Sequence, residues 1–564
     1  MPCRPRVVCN GGRRYVSDKN QIKMYRRLFI LVIAAFMVVC CGKEERQEFD
    51  QKQQELFDLK NVQVPDVPDP QIVEVQADAD YGFSFDAERY GVDAGSSVSV
   101  GYSLPEASSL EVLVKDGWSA VVNATDEKSG TIVVTAPDPA SPSEIVVKAT
   151  TTGGLNTAAV LPVVVRDPYT DATRTDIAAL AYNALYRDIA TDYHFQMMAE
   201  CGMNMLSIEY ADNWKEQLSL CEKYGLKGVL FVNGPAGAYY ISHGEDLTID
   251  AVINEAKTYP ALAAYQIFDE PKLAQIGQIV FEKNRIEELD PDHPVYVNLH
   301  PGSASEGSLG VDDYFEYVEE MVTRCNLKFI TFDQYPVFNY GIDAAWHKSL
   351  VAVRTSALKH NIPFWAFTLC CREWEREDPT LENIRLQCNT NLIFGAQVNQ
   401  FFVYRSTSGT DYSPLQTWEW IDKENDKKRF YSASEVRYTA AYDDCKAYCR
   451  EMHNRGYVFS GCNVKKVCNT NIFNNWLEGL NPSDLPDCID KLSTSEEALV
   501  SFIENKGNEY VAVVNSLWKK SQTVSFELND MVYMIDHDGV FTELDKGQHD
   551  VVLEGGDMIV LKIK

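Results

Sequence analysis

From about residue 175 the chain alternates short apolar runs with amphipathic stretches, eight times over. The apolar runs span 177–182, 203–209, 227–233, 265–270, 295–299, 329–333, 364–368 and 400–404. Continuous apolarity over five to seven residues predicts strands buried on both faces of a parallel sheet. Between them the apolar positions recur at helical spacing, as in Ile276, Ile279, Val280, Lys283 and Ile286, and Gly202 and Gly225 stand where helices end before strands. Eight βα units over about 280 residues predict a (β/α)₈ TIM barrel. Residues 73–165 instead read as short strands with turn residues between them (97–102, 110–114, 131–134, 144–147), the spacing of an immunoglobulin-like β-sandwich. After Gly456 a last all-β segment appears (498–502, 510–514, 523–526), with Asp538-Gly539 as a hairpin turn and 558–563 as the closing strand. The expected fold is therefore multidomain, a central TIM barrel over 172–456 between an immunoglobulin-like sandwich at 72–168 and a small C-terminal β-sandwich at 457–564.

The N-terminus carries an address. Met24-Tyr25-Arg26-Arg27 is a basic stretch, residues 28–39 are apolar but short for a membrane span, and Cys40, Cys41 and Gly42-Lys43-Glu44-Glu45 follow. The pattern resembles a bacterial lipoprotein signal over 24–40 with Cys41 carrying the lipid, and 1–23 read as a mis-start upstream of Met24. Lys-Glu-Glu after the cysteine resembles the surface-export signal of Bacteroidetes lipoproteins. Residues 41–71, polar and acidic with Pro65, Pro68 and Pro70, read as a tether. The expected location is the outer membrane, surface-facing, held through the lipid anchor only.

A formal charge of −30 over 564 residues excludes a nucleic-acid partner and suits a neutral ligand better than a polyanion. The 29 Tyr and 9 Trp supply rings beyond those a core needs. Of the 15 cysteines, 11 remain after processing and lipidation, an odd number that cannot all pair. Cys445 and Cys449 lie one helical turn apart, with Cys462 and Cys468 downstream; the spacing fits a helix face better than a zinc site, and neither metal nor cofactor is expected.

The chemistry concentrates where the predicted strands end. Tyr265-Gln266-Ile267-Phe268-Asp269-Glu270-Pro271 closes the fourth strand on two adjacent carboxylates. Neighbouring side chains alternate between faces, so one of the pair faces the interior, at the end of the barrel where active sites form. A carboxylate there can have its pKa raised and serve as a proton donor. The other strand ends contribute Glu209, Asn233, Asn298 with His300, Asp333 with Tyr335, and Tyr404 with Arg405. Trp214, Tyr239, Tyr240, Phe338, Tyr340, Trp365 and Trp374 lie near these ends. Rings beside carboxylates suit sugar recognition, with pyranose faces on the rings and hydroxyls on Asn, His and Asp. The expected ligand is an oligo- or polysaccharide, with Glu209, Asn233, Asn298, His300, Tyr335, Trp365, Trp374 and Tyr404 as binding residues.

Residues 259–271, together with Asp290-Pro291-Asp292-His293-Pro294, Phe332-Asp333-Gln334-Tyr335-Pro336 and Phe394-Gly395-Ala396, resemble clan A glycoside hydrolases and their Bacteroidetes relatives. The resemblance covers roughly 175–455. It implies a glycosidase with Glu270 as general acid/base. The clan carries Asn before this glutamate, where this chain has Asp269, and its nucleophile is a glutamate ending strand seven, which 364–371 lacks. Glu373 and Glu375 follow a few residues on, so the catalytic candidates are Glu270, Asp269, Asp333 and Glu373. Adjacent Asp-Glu also resembles the substrate-assisted hexosaminidases of families 20 and 123, in which the Asp orients a 2-acetamido group and the Glu protonates the leaving oxygen. That resemblance implies an N-acetylhexosaminidase with no enzyme nucleophile. A third reading is a non-catalytic glycan-binding surface lipoprotein on a decayed barrel.

Overall fold

The computed structural model describes residues 82–563, apart from 87–89, 93, 107, 116, 139–142, 162, 166–176, 210–212, 233–248, 374–375, 408 and 472–474. Cys41, Asn233, Tyr239, Tyr240, Trp374 and Glu375 lie outside the described residues, as do the signal and the tether.

Eight parallel strands close into a barrel: β1 (Ala178–Ala181), β2 (Met205–Ile208), β3 (Lys227–Phe231), β4 (Leu262–Asp269), β5 (Val295–Leu299), β6 (Ile330–Phe332), β7 (Phe364–Leu369) and β8 (Val398–Phe402). Closure is made by β1 against β8, from Ala178 opposite Val398 to Ala181 opposite Phe401. The strands read as continuously apolar because both faces are covered. One set of side chains, including Leu180, Met205, Val229, Tyr296, Trp365 and Phe367, fills the barrel interior. The alternate set, including Ala181, Leu206, Leu230, Ile267 and Val297, meets the surrounding helices in the largest core. Gly202 has φ +86°, and a Cβ there would fall 2.7 Å from the Cβ of Cys449, so the turn into β2 requires glycine.

Before the barrel, a four-stranded and a three-stranded antiparallel sheet share one core, to which Val100, Ile132 and Val134 contribute from the first and Val147 and Ala149 from the second. After it, a six-stranded sheet beginning at Asn463–Asn469 faces a three-stranded one. Alternation along Ala498–Asn505 and Asn508–Asn515 makes both faces of the larger sheet apolar. Val500, Phe502, Val511 and Val513 pack toward the smaller sheet. Leu499, Ile503, Ala512 and Val514 join the barrel core, where Ser501 Oγ donates to the Ile393 carbonyl at 2.8 Å. This sandwich is thus built against the barrel's Leu381–Phe394 helix.

All eleven described cysteines are thiols, and Cys445 and Cys449 share the buried face of the helix Ala440–Asn454. Among the described residues no group of three His, Cys, Asp or Glu is arranged to hold a metal ion.

Candidate active site

Strand β4 does not keep strict alternation. Its register against β5 passes from Gln266 opposite Tyr296 directly to Phe268 opposite Val297, leaving Ile267 as an extra residue. Ile267 and Phe268 consequently both join the outer core, and Asp269 returns to the interior beside Asn298. Unbroken alternation from inward-facing Gln266 would have turned Asp269 outward; the bulge re-aims it. The next residue, Glu270, has φ +48°, a left-handed backbone that non-glycine residues adopt rarely and that clusters at functional sites. Bulge and turn together bring two sequence-adjacent carboxylates to one mouth.

Asp269 is reachable by solvent yet lies deep among protein groups. Asn298 Nδ2 donates to its Oδ1 at 3.0 Å. The amide is fixed in turn, because Thr331 Oγ1 donates to Asn298 Oδ1 at 2.9 Å and Gln400 Nε2 donates to Thr331 Oγ1 at 2.8 Å. A chain of three polar side chains from β8, β6 and β5 therefore sets the orientation of a carboxylate on β4. Burial raises the Asp269 pKa to about 6, against the opposing hydrogen bond from Asn298 and with the Glu270 charge adding to the rise.

Glu270 stands at the open side, its Oε1 3.5 Å from His300 Nδ1. The two loops that carry this pair are stapled together. Tyr317 Oη donates to the Pro271 carbonyl at 2.7 Å and accepts from the His300 backbone N–H at 3.3 Å, while Tyr314 Oη donates to the His300 carbonyl at 2.8 Å. Asp333, immediately after β6, is the third member. Burial first, then the charges of Glu270 and Asp269, raise its pKa well above the carboxylate range. Asp269 and Asp333 are thus two buried acids whose pKa values are both raised, and the charge of Asp269 adds to the rise at Asp333.

Glu209 follows β2 and is buried, accepting from Ser207 Oγ at 2.9 Å. Burial raises its pKa to about 7, the charge of Asp269 also raising it and Arg405 opposing. A folded pKa above the unfolded value means that stability falls as pH rises from about 4.5 through 7. For this buried group the loss is on the order of 3 kcal/mol. Glu209→Gln is therefore expected to melt several degrees above the wild type at pH 8 and together with it at pH 4.5, as thermal unfolding at the two pH values would measure.

Two residues expected at the site sit elsewhere. Trp365 packs inside the barrel, its ring 4.3 Å from that of Phe329 and 5.5 Å from that of Tyr296. Tyr404 is fully buried in the outer core with Cys201, Tyr442 and Cys445, because the chain has turned past the end of β8. Tyr335 does reach the mouth region. It stacks on Phe402 at 5.1 Å, and the Arg376 guanidinium lies 5.2 Å from its ring.

Glu373 lies off the barrel. It belongs to a short ladder, Arg372–Glu373 against Thr410–Tyr412, and Arg376 Nη1 donates to its Oε2 at 3.2 Å. Strand β7 itself ends on Leu369, which packs with Cys371 and Val403 against Tyr335 and Phe402. The described end of β7 thus offers an apolar side chain where a carboxylate partner for Glu270 was sought. The supporting residues Gln266, Thr331 and Gln400 escaped notice in the sequence. Their signal was a polar residue interrupting an otherwise apolar buried strand.

No protein-family model matches the chain, and no curated protein matches it. Solved structures with similar folds include a β-L-arabinopyranosidase from Geobacillus stearothermophilus (10% identity, 70% of this chain and 98% of that one, TM-score 0.39). Others are a noncanonic maltogenic α-amylase from Thermotoga neapolitana (8%, 69% and 98%, TM-score 0.35) and an endo-β-1,4-mannanase from Thermotoga petrophila (10%, 67% and 97%, TM-score 0.33). At this level of likeness they carry no argument about activity. The barrel rests on its own strand pairing.

Proposed function

We propose that the chain is a glycoside hydrolase that cleaves O-glycosidic bonds of oligo- or polysaccharides by carboxylate acid/base catalysis, with Glu270 as proton donor. The observation that carries this reading is the convergence of Asp269, Glu270 and Asp333 at the mouth of a (β/α)₈ barrel, two of them, Asp269 and Asp333, with pKa values raised by burial. Glu270 and Asp269 are both exposed, but Asp269 is held by Asn298 whereas Glu270 stands beside His300 at the open side, so Glu270 is the one free to meet a leaving-group oxygen. The apolar end of β7 and the engagement of Glu373 by Arg376 favour a second reading, in which the substrate's own 2-acetamido group attacks and Asp269 orients it.

The basic, apolar and Cys-Gly-Lys-Glu-Glu pattern before residue 46 supports export and a lipid anchor on Cys41, and the sandwich at 82–165 suits an immunoglobulin-like spacer between membrane and barrel. Purified residues 42–564 offered plant, host and bacterial glycans are expected to release reducing sugar from at least one class. Binding without release across the whole panel would instead identify a glycan-binding lipoprotein.

A further inference from the structure

A cavity of about 170 Å³ opens beside the carboxylate cluster, lined by Asn183, Ala184, Leu185 and Tyr186 after β1, Glu209 after β2 and Arg405 after β8. We infer that it is a subsite for a carboxylate-bearing sugar, a uronic acid, with Arg405 as the group that reads the carboxylate. The inference rests on the glycosidase reading of the mouth and adds the chemical class of the sugar.

Arg405 carries the argument. Its Nη1 donates to the Ser406 carbonyl at 3.3 Å, its guanidinium lies 5.5 Å from the Tyr186 ring, and its buried Nε has no hydrogen-bond partner among the described residues. Among the described residues no carboxylate lies within ion-pair distance of it. Glu209 is near enough to favour the charge on Arg405 but outside ion-pair distance, and a guanidinium fork matches a carboxylate with two parallel hydrogen bonds. The other ionisable group that argues for the ligand's charge is Glu209, positioned by Ser207, whose own hydroxyl accepts from the Asn183 N–H at 2.9 Å; Asn183 and Tyr186 add neutral polar groups to the wall. Glu209 keeps its proton up to about pH 7, so below that pH it presents a donor rather than a second negative charge. The charges facing it are those of Asp269, which raises its pKa, and Arg405, which lowers it. Protonated Glu209 beside Arg405 leaves the cavity locally positive.

The charge of the whole chain, −30, opposes an anionic ligand only weakly at this range. Salt screens remote charges beyond about 8 Å, whereas Arg405 would act in contact. The balance therefore favours a single carboxylate while still disfavouring a long polyanion.

The test is equilibrium binding, which does not depend on turnover. D-glucuronate, D-galacturonate, D-glucose and D-galactose would be titrated calorimetrically into the full chain, Arg405→Gln and Arg405→Lys at pH 6 and pH 8.5. At least one uronate is expected to bind about tenfold more tightly than its matching neutral hexose at pH 6. That preference should vanish in Arg405→Gln, persist in part in Arg405→Lys, and shrink at pH 8.5 as Glu209 ionises. Equal or tighter binding of the neutral hexose, or a uronate preference untouched in a folded Arg405→Gln, would overturn the inference. Uronate binding without hydrolysis of any glycoside would overturn the hydrolase reading and leave this one standing. Hydrolysis confined to neutral glycosides would do the reverse.

Discussion

Glu270→Gln is expected to lower kcat/KM on natural glycans by roughly 10²–10⁴-fold, the usual contribution of a positioned general acid. The amide keeps the size and the left-handed turn of residue 270 but cannot give up a proton. On aryl glycosides, whose leaving groups depart with little protonation, the loss should be far smaller. That contrast separates proton donation from mere shape. The geometry supports it: Glu270 is an exposed acid at the open side of the cluster, with His300 3.5 Å away and both loops stapled by Tyr317. Equal and minor losses on both substrate types would remove Glu270 from the chemistry.

The second large effect concerns the partner carboxylate. Asp269→Ala is expected to cost at least about 10²-fold in kcat, whereas Glu373→Ala should cost less than about tenfold. Asp269 is aimed into the mouth by the bulge in β4 and locked through Asn298, Thr331 and Gln400. Glu373 is held in a side ladder by Arg376, and the nearest strand end is Leu369. Activity restricted to N-acetylhexosaminides together with this mutational pattern would go with substrate assistance. Hydrolysis of plain hexosides, with a crippled Glu373→Ala restored by azide, would go with a covalent route through Glu373.

The barrel was legible in the sequence because each strand is apolar on both faces and each helix on one stripe, so the change of period at about residue 175 marks the change of architecture. Glycines that end helices, such as Gly225 at φ +69°, were legible for the same local reason. The location of the carboxylate cluster at the end of β4 followed from strand order alone. Which carboxylate faces inward did not: a one-residue bulge at Ile267 reverses the outcome, and nothing local in Gln-Ile-Phe-Asp announces it. Trp365 and Tyr404 were misplaced because proximity to a strand end does not say which face a side chain takes. Glu373 looked close to β7 in sequence, but the chain leaves the barrel after Leu369 to pair with Thr410–Tyr412, a non-local ladder no periodicity encodes. Arg405 drew notice only as a strand-end residue, since its lack of an ion-pair partner among the described residues appears only once the neighbours are in place.

The most direct test of the central claim is a crystal structure of the Glu270→Gln variant bound to an intact oligosaccharide that the wild type hydrolyses. The glycosidic oxygen is expected about 2.6–3.2 Å from the amide of residue 270, with Asp269 facing the same sugar ring. An oligosaccharide seated elsewhere, with the end of β4 untouched, would contradict the account.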